Sequence, residues 1–330
     1  MNLTEEASCI HSNIPCLDSS QTANDVLRYM SAAVVVSLTV CGNLLVIISI
    51  CHFKQLHTPT NFLLLSLAMT DFLVGVIVMP LYFILWIDPQ SCFGILYCTI
   101  FNVAALDLTC ISIYNVALIA VDRYIAVSNP LHYSMKITMK VTLRIIAILW
   151  LYSLIYNMVL LYFNGNIIDM KANITCGECI LISSNVWAIV DFIIVFLLPC
   201  SMIIIIYLNI FAIAKKHANK IRSVRKCPKI KNVSMASERK AAKSLGVLVA
   251  VFLVCLVPYY LSAFLDVYVK KRSVHLAVSG TLTLIYLNSS INPIIYALFY
   301  PWFKRSVKLI ITLKICGTES SVLHVLANDT

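Results

Sequence analysis

The sequence predicts an all-α membrane protein, in which a seven-transmembrane-helix bundle is followed by a short amphipathic helix. Two observations support this fold class. The chain is 60% hydrophobic and only 12% charged, whereas a soluble domain carries about 25% charged residues. In addition, five runs of at least 22 residues contain no Asp, Glu, Lys or Arg: 29–53, 145–168, 192–214, 244–265 and 273–303.

Two further apolar stretches, each interrupted by a single acid, Asp71 or Asp107, bring the number of predicted spans to seven. About 20 apolar residues cross a bilayer as a helix, and helices satisfy their own backbone hydrogen bonds in lipid. The runs are too long for barrel strands of about 10 alternating residues. The predicted spans are 27–52, 60–86, 94–126, 143–163, 183–214, 241–268 and 274–299.

The basic residues orient these spans in the membrane. With the N-terminus outside, 20 of the 25 Lys and Arg residues fall on the inner side, as the positive-inside rule requires. The net charge of +10 is then a topology signal, and we expect no nucleic-acid partner. The predicted parts are an extracellular segment 1–26, a membrane domain 27–299, an amphipathic helix 300–312 and a cytoplasmic tail 313–330. The first 26 residues lack the pattern of a removable signal peptide, so we expect the first span to direct insertion.

The outer side carries two predicted glycosylation sites, Asn2 and Asn173, each within an Asn-x-Thr sequence. Six cysteines also fall there: Cys9, Cys16, Cys92, Cys98, Cys176 and Cys179. Disulfides persist in this compartment, but six cysteines allow 15 pairings.

The amphipathic segment is predicted to lie on the inner leaflet, with membrane lipid as its partner. We expect Trp302, Phe303 and Ile310 to face lipid, and the headgroups to be met by basic residues: Lys304, Arg305 and Lys308.

One short motif marks each span. In chain order these are Gly42-Asn43, Leu67 to Asp71, Asp122-Arg123-Tyr124, Trp150, Pro199 with Tyr207, Phe252 with Pro258, and Asn292-Pro293-Ile294-Ile295-Tyr296. Together they resemble the rhodopsin-like G-protein-coupled receptors. The finer resemblance is to the trace amine-associated receptors, and it rests on 288–293 running into 296–304, on 238–243, and on the pair Cys176 and Cys179.

The resemblance implies a plasma-membrane receptor for small amines, of the fish-type olfactory kind, that signals through a heterotrimeric stimulatory G protein and cyclic AMP. It implies no enzymatic activity and no cofactor, apart from an allosteric sodium ion. It also implies two disulfides, one joining Cys98 to Cys179 and one joining Cys16 to Cys176.

A G-protein switch at the inner ends of the helices is a further implication of the resemblance. Its residues would be Asp122, Arg123, Tyr124, Glu238, Tyr207 and Tyr296, with Arg123 paired to Glu238 in the resting state. The relay above the switch would be formed by Ile113, Pro199 and Phe252. Leu256 stands where most relatives carry Trp, two residues before Pro258; it leaves more room beneath the ligand.

Ionisable residues inside membrane spans are costly and are functional candidates by default. For Asp71 the resemblance implies a sodium site, formed with Ser112, Asn288, Ser289 and Asn292, and oxygen ligands suit such an ion. The other interpretation of Asp71 is a hydrogen-bonded core acid without an ion.

The ligand site departs from the usual amine-receptor pattern. The family's amine-binding Asp lies on the third span, 18 positions before the Arg of Asp-Arg-Tyr, and here that position is Ala105. Asp191 on the fifth span, where fish members carry the acid, is the predicted replacement. Since two residues turn a helix by roughly 200°, Asp107 cannot substitute for Ala105, and we expect it to face the fourth span or lipid. The other predicted ligand contacts are Leu106, Thr109, Tyr259, Tyr260, Tyr286 and Asp266.

Two alternative functions remain open from the sequence. A rhodopsin-like receptor for a non-amine ligand is the first, because Ala105 breaks the usual rule. A transporter or channel is more remote, since no internal repeat is visible. An enzyme is disfavoured because the chain has no His-Glu-x-x-His, P-loop or Gly-x-Ser-x-Gly motif.

Overall fold

The computed structural model describes residues 19–87, 95–164, 174–175, 178–179, 184–223, 232–269 and 271–313. This part of the chain is almost entirely helical. The elements are α1 (Ser19–His52), a 3₁₀ turn (Lys54–Leu56), α2 (Pro59–Leu73), a π turn (Val74–Val78), α3 (Met79–Ile87), α4 (Ile95–Ser128), α5 (Pro130–Lys136), α6 (Met139–Phe163), β1 (Ile174–Thr175), β2 (Glu178–Cys179), α7 (Asn185–Asp191), a second π turn (Phe192–Leu197), α8 (Leu198–Ser223), α9 (Asn232–Val269), α10 (Arg272–Phe299) and α11 (Pro301–Ile311).

Within the described residues, seven helical segments are long and apolar enough to cross a membrane. We number them spans 1 to 7: Asn24–His52, Pro59–Ile87, Leu96–Ser128, Met139–Phe163, Asn185–Ile213, Gly246–Val269 and Arg272–Phe299. The predicted seven-helix bundle is therefore confirmed, and no predicted boundary differs by more than five residues. Among the described residues, the short antiparallel pair of β1 and β2 is the one departure from an all-α structure.

Side-chain caps fix where several helices begin. The hydroxyls of Thr58, Thr138 and Ser184 accept hydrogen bonds from backbone amides three residues later. An N-terminal hydroxyl satisfies an amide that the helix itself leaves unpaired. Pro59, the first residue of α2, adds a backbone angle already suited to a first turn.

The centre of the bundle is α4, which packs against α2, α6 and α8. Span 1 is joined to span 7 by polar contacts: Thr39 Oγ1 lies 2.6 Å from Ser290 Oγ, and Asn43 Nδ2 donates to the Ser289 carbonyl at 3.0 Å. Gly42 faces Pro293 so closely that an added Cβ would lie 2.8 Å from the proline Cβ. The Gly-Asn motif of the first span is therefore the point at which spans 1 and 7 meet.

The amphipathic helix α11 corrects one expectation. Trp302 and Phe303 do not face lipid, since they are only 8% and 4% exposed. Phe303 packs edge-on against Tyr296, with ring centroids 6.4 Å apart, and α11 contacts both α1 and α10. The prediction was wrong because the apolar face of α11 turns toward the bundle at its first turn. Lys304 and Lys308 are exposed, as expected, while Arg305 and Ile310 are half-buried.

A disulfide anchors the outer end of α4. Cys98 is bonded to Cys179 of β2, with the two Cα atoms 5.1 Å apart, which confirms the first predicted pairing. The second pairing, Cys16 with Cys176, lies outside the described residues, as do the glycosylation sites Asn2 and Asn173.

Candidate functional site

Asp191 ends α7 in the outer half of span 5 and is half-buried. Its Oδ1 accepts a hydrogen bond from the Tyr156 hydroxyl of span 4 at 3.2 Å. The described residues contain three ion pairs, Arg28–Asp25, Arg123–Asp122 and His275–Asp266, and Asp191 belongs to none of them. Its described partner is therefore a neutral phenol.

The backbone next to Asp191 is irregular. The π turn Phe192–Leu197 begins at the following residue, and such turns occur frequently at functional sites. The Ile194 carbonyl within this turn accepts a hydrogen bond from Tyr114 of span 3 at 2.9 Å. A side chain from the neighbouring helix thus holds the segment that presents Asp191.

Aromatic rings form the span 6 side of this region. Tyr260 stacks on Phe196 with ring centroids 4.7 Å apart, and Phe264 meets Phe192 at 4.6 Å. Tyr259 meets Tyr260 edge-on at 5.3 Å, and the π turn that carries Phe196 begins directly after Asp191. The two predicted tyrosines of span 6 therefore lie near the predicted acid, and aromatic faces attract ammonium groups.

A small cavity of about 20 Å³, enough for roughly one water molecule, lies deeper in the bundle, between spans 2, 3, 6 and 7. Thr109 and Tyr286, two of the predicted ligand contacts, line it, and so does Leu256. Leu106 is half-buried and is not part of its lining. The full lining is Val74, Leu108, Thr109, Ser112, Ile113, Phe252, Cys255, Leu256, Ile285, Tyr286, Asn288 and Ser289.

Asp107 and Asp266, the other two candidate acids of the outer half, share no described contact with Asp191. Asp107 accepts a hydrogen bond from Ser153 of span 4 at 2.7 Å, which is the orientation that the helical geometry predicted. Asp266 lies 3.3 Å from His275 Nδ1, and this pair joins the outer ends of spans 6 and 7.

Asp71 is completely buried in span 2 and bonded to span 7. Ser289 Oγ donates to its Oδ1 and Asn292 Nδ2 donates to its Oδ2, both at 2.7 Å. Ser112 and Asn288, the other predicted sodium ligands, line the cavity beside Ser289. The Asn288 side-chain oxygen is buried without a hydrogen-bond partner in the described structure. A carboxylate and an unpartnered carbonyl oxygen are the ligand types of a hard cation.

At the inner end of span 3, the Arg123 side chain contacts residues of spans 2 and 3 and of α5. It pairs with Asp122 and contacts Thr60, and its Nη2 lies 3.3 Å from the Tyr133 hydroxyl. Tyr133 of α5 donates to Asp122 at 2.9 Å, and burial raises the pKa of this hydroxyl, which keeps it a donor. Glu238 belongs to α9, but its side chain lies outside the described part of the structure. The Arg123–Glu238 pair therefore stays a prediction.

The predicted relay and switch residues lie along the core of the bundle. Ile113 and Phe252 both line the cavity, and Pro199 is buried. Tyr207 and Tyr296 are buried, and their hydroxyls have no hydrogen-bond partner among the described residues. Tyr124 is half-buried.

Three residues of these sites were missed from the sequence: Tyr156 at Asp191, and Thr60 and Tyr133 at Arg123. A tyrosine in an apolar span is typical of core or interface packing, so nothing in the sequence distinguished Tyr156 from the other tyrosines of the spans. The signal available in the sequence was that the run 192–214, which follows Asp191, contains no Lys or Arg. Asp191 therefore needs a polar partner from another helix.

Comparison with known proteins adds an independent observation. Residues 42–296 match the family model of the 7 transmembrane receptor (rhodopsin family). Trace amine-associated receptor 13c of Danio rerio is 37% identical over 323 residues, which cover 95% of this chain and 94% of that relative. Trace amine-associated receptors 7f of Mus musculus and 7a of Rattus norvegicus are each 39% identical over 297 residues, covering 87% of this chain and 83% of each relative.

Proposed function

Because the chain belongs to the trace amine-associated receptors of the rhodopsin family, and is a multi-pass plasma-membrane protein, we propose that it is a receptor for small amines whose ammonium group binds Asp191. The observation that carries this proposal is the environment of Asp191. It is an acid in the outer half of a span that holds no other charged residue, and the partner described for it is the neutral Tyr156 hydroxyl.

Electrostatics favours a cationic ligand at this position. An ionised carboxylate within a membrane span is costly unless a cation or several donors compensate it. Charge-assisted hydrogen bonds are roughly twice as strong as neutral ones, so a protonated amine compensates Asp191 better than Tyr156 alone. Ala105 offers no competing acid on span 3, and Tyr259 and Tyr260 supply aromatic faces nearby.

The test replaces the charge and keeps the shape. Asp191→Asn should reduce the potency of an activating amine by roughly 10²–10³, since breaking a buried charge pair costs about 3–5 kcal/mol. Dose–response curves are measured with a cyclic AMP reporter and normalised to surface expression. Asp107→Asn is the matched control, because Asp107 is held by Ser153 of span 4; it should leave the potency almost unchanged.

The same experiment distinguishes the alternative of a non-amine ligand. In that case Asp191 would be a protonated core acid satisfied by Tyr156, and Asp191→Asn would behave like the Asp107→Asn control. An unchanged amine curve in Asp191→Asn would therefore overturn the amine assignment. The family membership leaves no place for the transporter, channel or enzyme alternatives.

We propose coupling to a heterotrimeric stimulatory G protein through the inner ends of spans 3, 5 and 6. Arg123 is the residue that would be released on activation, because its present partners Asp122, Thr60 and Tyr133 hold it at spans 2 and 3 and at α5. An agonist-dependent rise of cyclic AMP, absent in cells lacking the stimulatory G protein α subunit, tests this coupling.

We also propose that Asp71 binds a sodium ion with Ser112, Asn288, Ser289 and Asn292. The fit is supported by the carboxylate, by two hydroxyls and by the unpartnered side-chain oxygen of Asn288. Asn292 would have to turn its side-chain oxygen toward such an ion, because its amide nitrogen now donates to Asp71. The olfactory role and the glycans on Asn2 and Asn173 stay predictions of the sequence.

A further inference from the structure

We propose that Tyr156 and Asp191 form a two-acceptor site that selects primary amines over tertiary amines with the same carbon skeleton. The inference rests on the proposed function, since it takes Asp191 as the residue that binds the ammonium group. It starts from one contact, in which the Tyr156 hydroxyl donates to Oδ1 of Asp191 at 3.2 Å.

The hydrogen-bonding inventory of this pair leaves two acceptor atoms for a ligand. A phenol has one proton to donate and keeps acceptor capacity on its oxygen. The Tyr156 proton is used by Asp191 Oδ1, so Tyr156 Oη is left as an acceptor. Asp191 Oδ2 makes no hydrogen bond within the described part of the chain. A carboxylate oxygen and a phenol oxygen therefore lie side by side, both able to receive N–H groups.

The position of Tyr156 is fixed by packing. Its ring stacks on Tyr152 at 6.1 Å with an interplanar angle of 20°. Tyr152 in turn meets Tyr114 edge-on at 6.1 Å, and Tyr114 donates to the Ile194 carbonyl three residues beyond Asp191. This row of tyrosines connects spans 3, 4 and 5, so the spacing of the two acceptors is set before a ligand binds.

The number of N–H groups on the ligand decides how many of the two acceptors are used. A primary ammonium carries three N–H groups, so it can donate to Asp191 Oδ2 and to Tyr156 Oη together. A tertiary ammonium carries one, which the charged carboxylate takes, and a quaternary ammonium carries none. Tyr156 therefore adds a hydrogen bond for primary and secondary amines but not for tertiary or quaternary ones, while every cationic ligand retains the attraction to Asp191.

The experiment compares Tyr156→Phe with wild type on matched probes. These are the straight-chain amines from propylamine to decylamine and 2-phenylethylamine, each beside its N,N-dimethyl derivative. Tyr162→Phe is the matched control, since Tyr162 lies on the same span and the residue is 53% exposed. The readout is the ratio of the two potencies within each pair, which a general loss of folding or expression leaves unchanged.

Tyr156→Phe should weaken primary amines by roughly 10- to 100-fold, the range of a hydrogen bond from a charged donor, and leave their dimethyl derivatives almost unchanged. Equal shifts for both members of each pair would overturn the selectivity role while leaving the amine receptor intact, provided that Asp191→Asn still lowers the potency by the roughly 10²–10³ expected. A surface-expressed wild type that answers none of these probes would instead reject the proposed function, and the inference with it.

Discussion

Asn292 donates from Nδ2 to Oδ2 of Asp71 at 2.7 Å and so ties span 7 to the most buried acid of the bundle across 221 residues of sequence. Ser289, one turn earlier on span 7, holds the other oxygen of the same carboxylate. Both sequence motifs that contain these residues, Leu67 to Asp71 and Asn292 to Tyr296, thus meet at one point. The carboxylate of Asp71 therefore joins spans 2 and 7 in the core of the bundle.

Asp71→Asn should abolish the sensitivity of the receptor to sodium. In wild type, replacing sodium by N-methyl-D-glucamine should raise agonist potency by about 5-fold or more, the lower range of coupling between two sites. An asparagine at position 71 loses the charge that attracts the cation, so its potency should be the same in both media. A wild-type curve that does not respond to sodium would reject the ion site and favour a hydrogen-bonded core acid.

Gly42→Ala should destabilise the bundle where spans 1 and 7 meet. The new Cβ would lie 2.8 Å from Pro293 Cβ and 2.9 Å from its Cγ, and a rigid ring within α10 cannot move aside. Overpacking of this kind typically costs about 1–3 kcal/mol, so the unfolding temperature of purified receptor should fall. Gly280→Ala is the control on α10, because a Cβ there meets nothing within 4 Å. Equal melting temperatures for both variants would contradict the close contact.

Leu256→Phe should cost less stability than the same change in a filled part of the core, because Leu256 lines the small cavity. The cavity can take up part of the larger ring, so the loss should stay below about 1 kcal/mol. Leu67→Phe is the comparison: Leu67 is fully buried and is not part of that lining, so the same change should cost about 1–3 kcal/mol. The measurement is the unfolding temperature of the two variants. A larger loss of stability at position 256 than at position 67 would mean that the cavity does not accommodate the larger ring.

The sequence was most informative where composition alone determines structure. Five uncharged runs and two apolar stretches with a single acid each predicted all seven spans, because charged side chains and unpaired backbone groups are costly in lipid. Helical periodicity placed Asp107 toward span 4, where Ser153 holds it. The Cys98–Cys179 bond was reached only through the resemblance, since six outer cysteines allow many pairings.

What the sequence could not predict depends on how the helices turn toward one another. Trp302 and Phe303 belong to an apolar face that suits lipid and protein equally, and only the packing of α11 on the bundle decided between them. The Tyr156–Asp191 contact joins two spans at a distance of 35 residues, and a π turn alters the face of the helix just beyond Asp191. Neither feature leaves a periodic signal in the sequence.

Binding of the ammonium group to Asp191 is tested most directly by an experimental structure of the receptor with an activating primary amine. The ammonium nitrogen should lie about 2.8 Å from Asp191 Oδ2, the distance of a charge-assisted hydrogen bond, with Tyr156 Oη as its second acceptor. A nitrogen bound elsewhere, or an Asp191 side chain directed toward lipid, would contradict it.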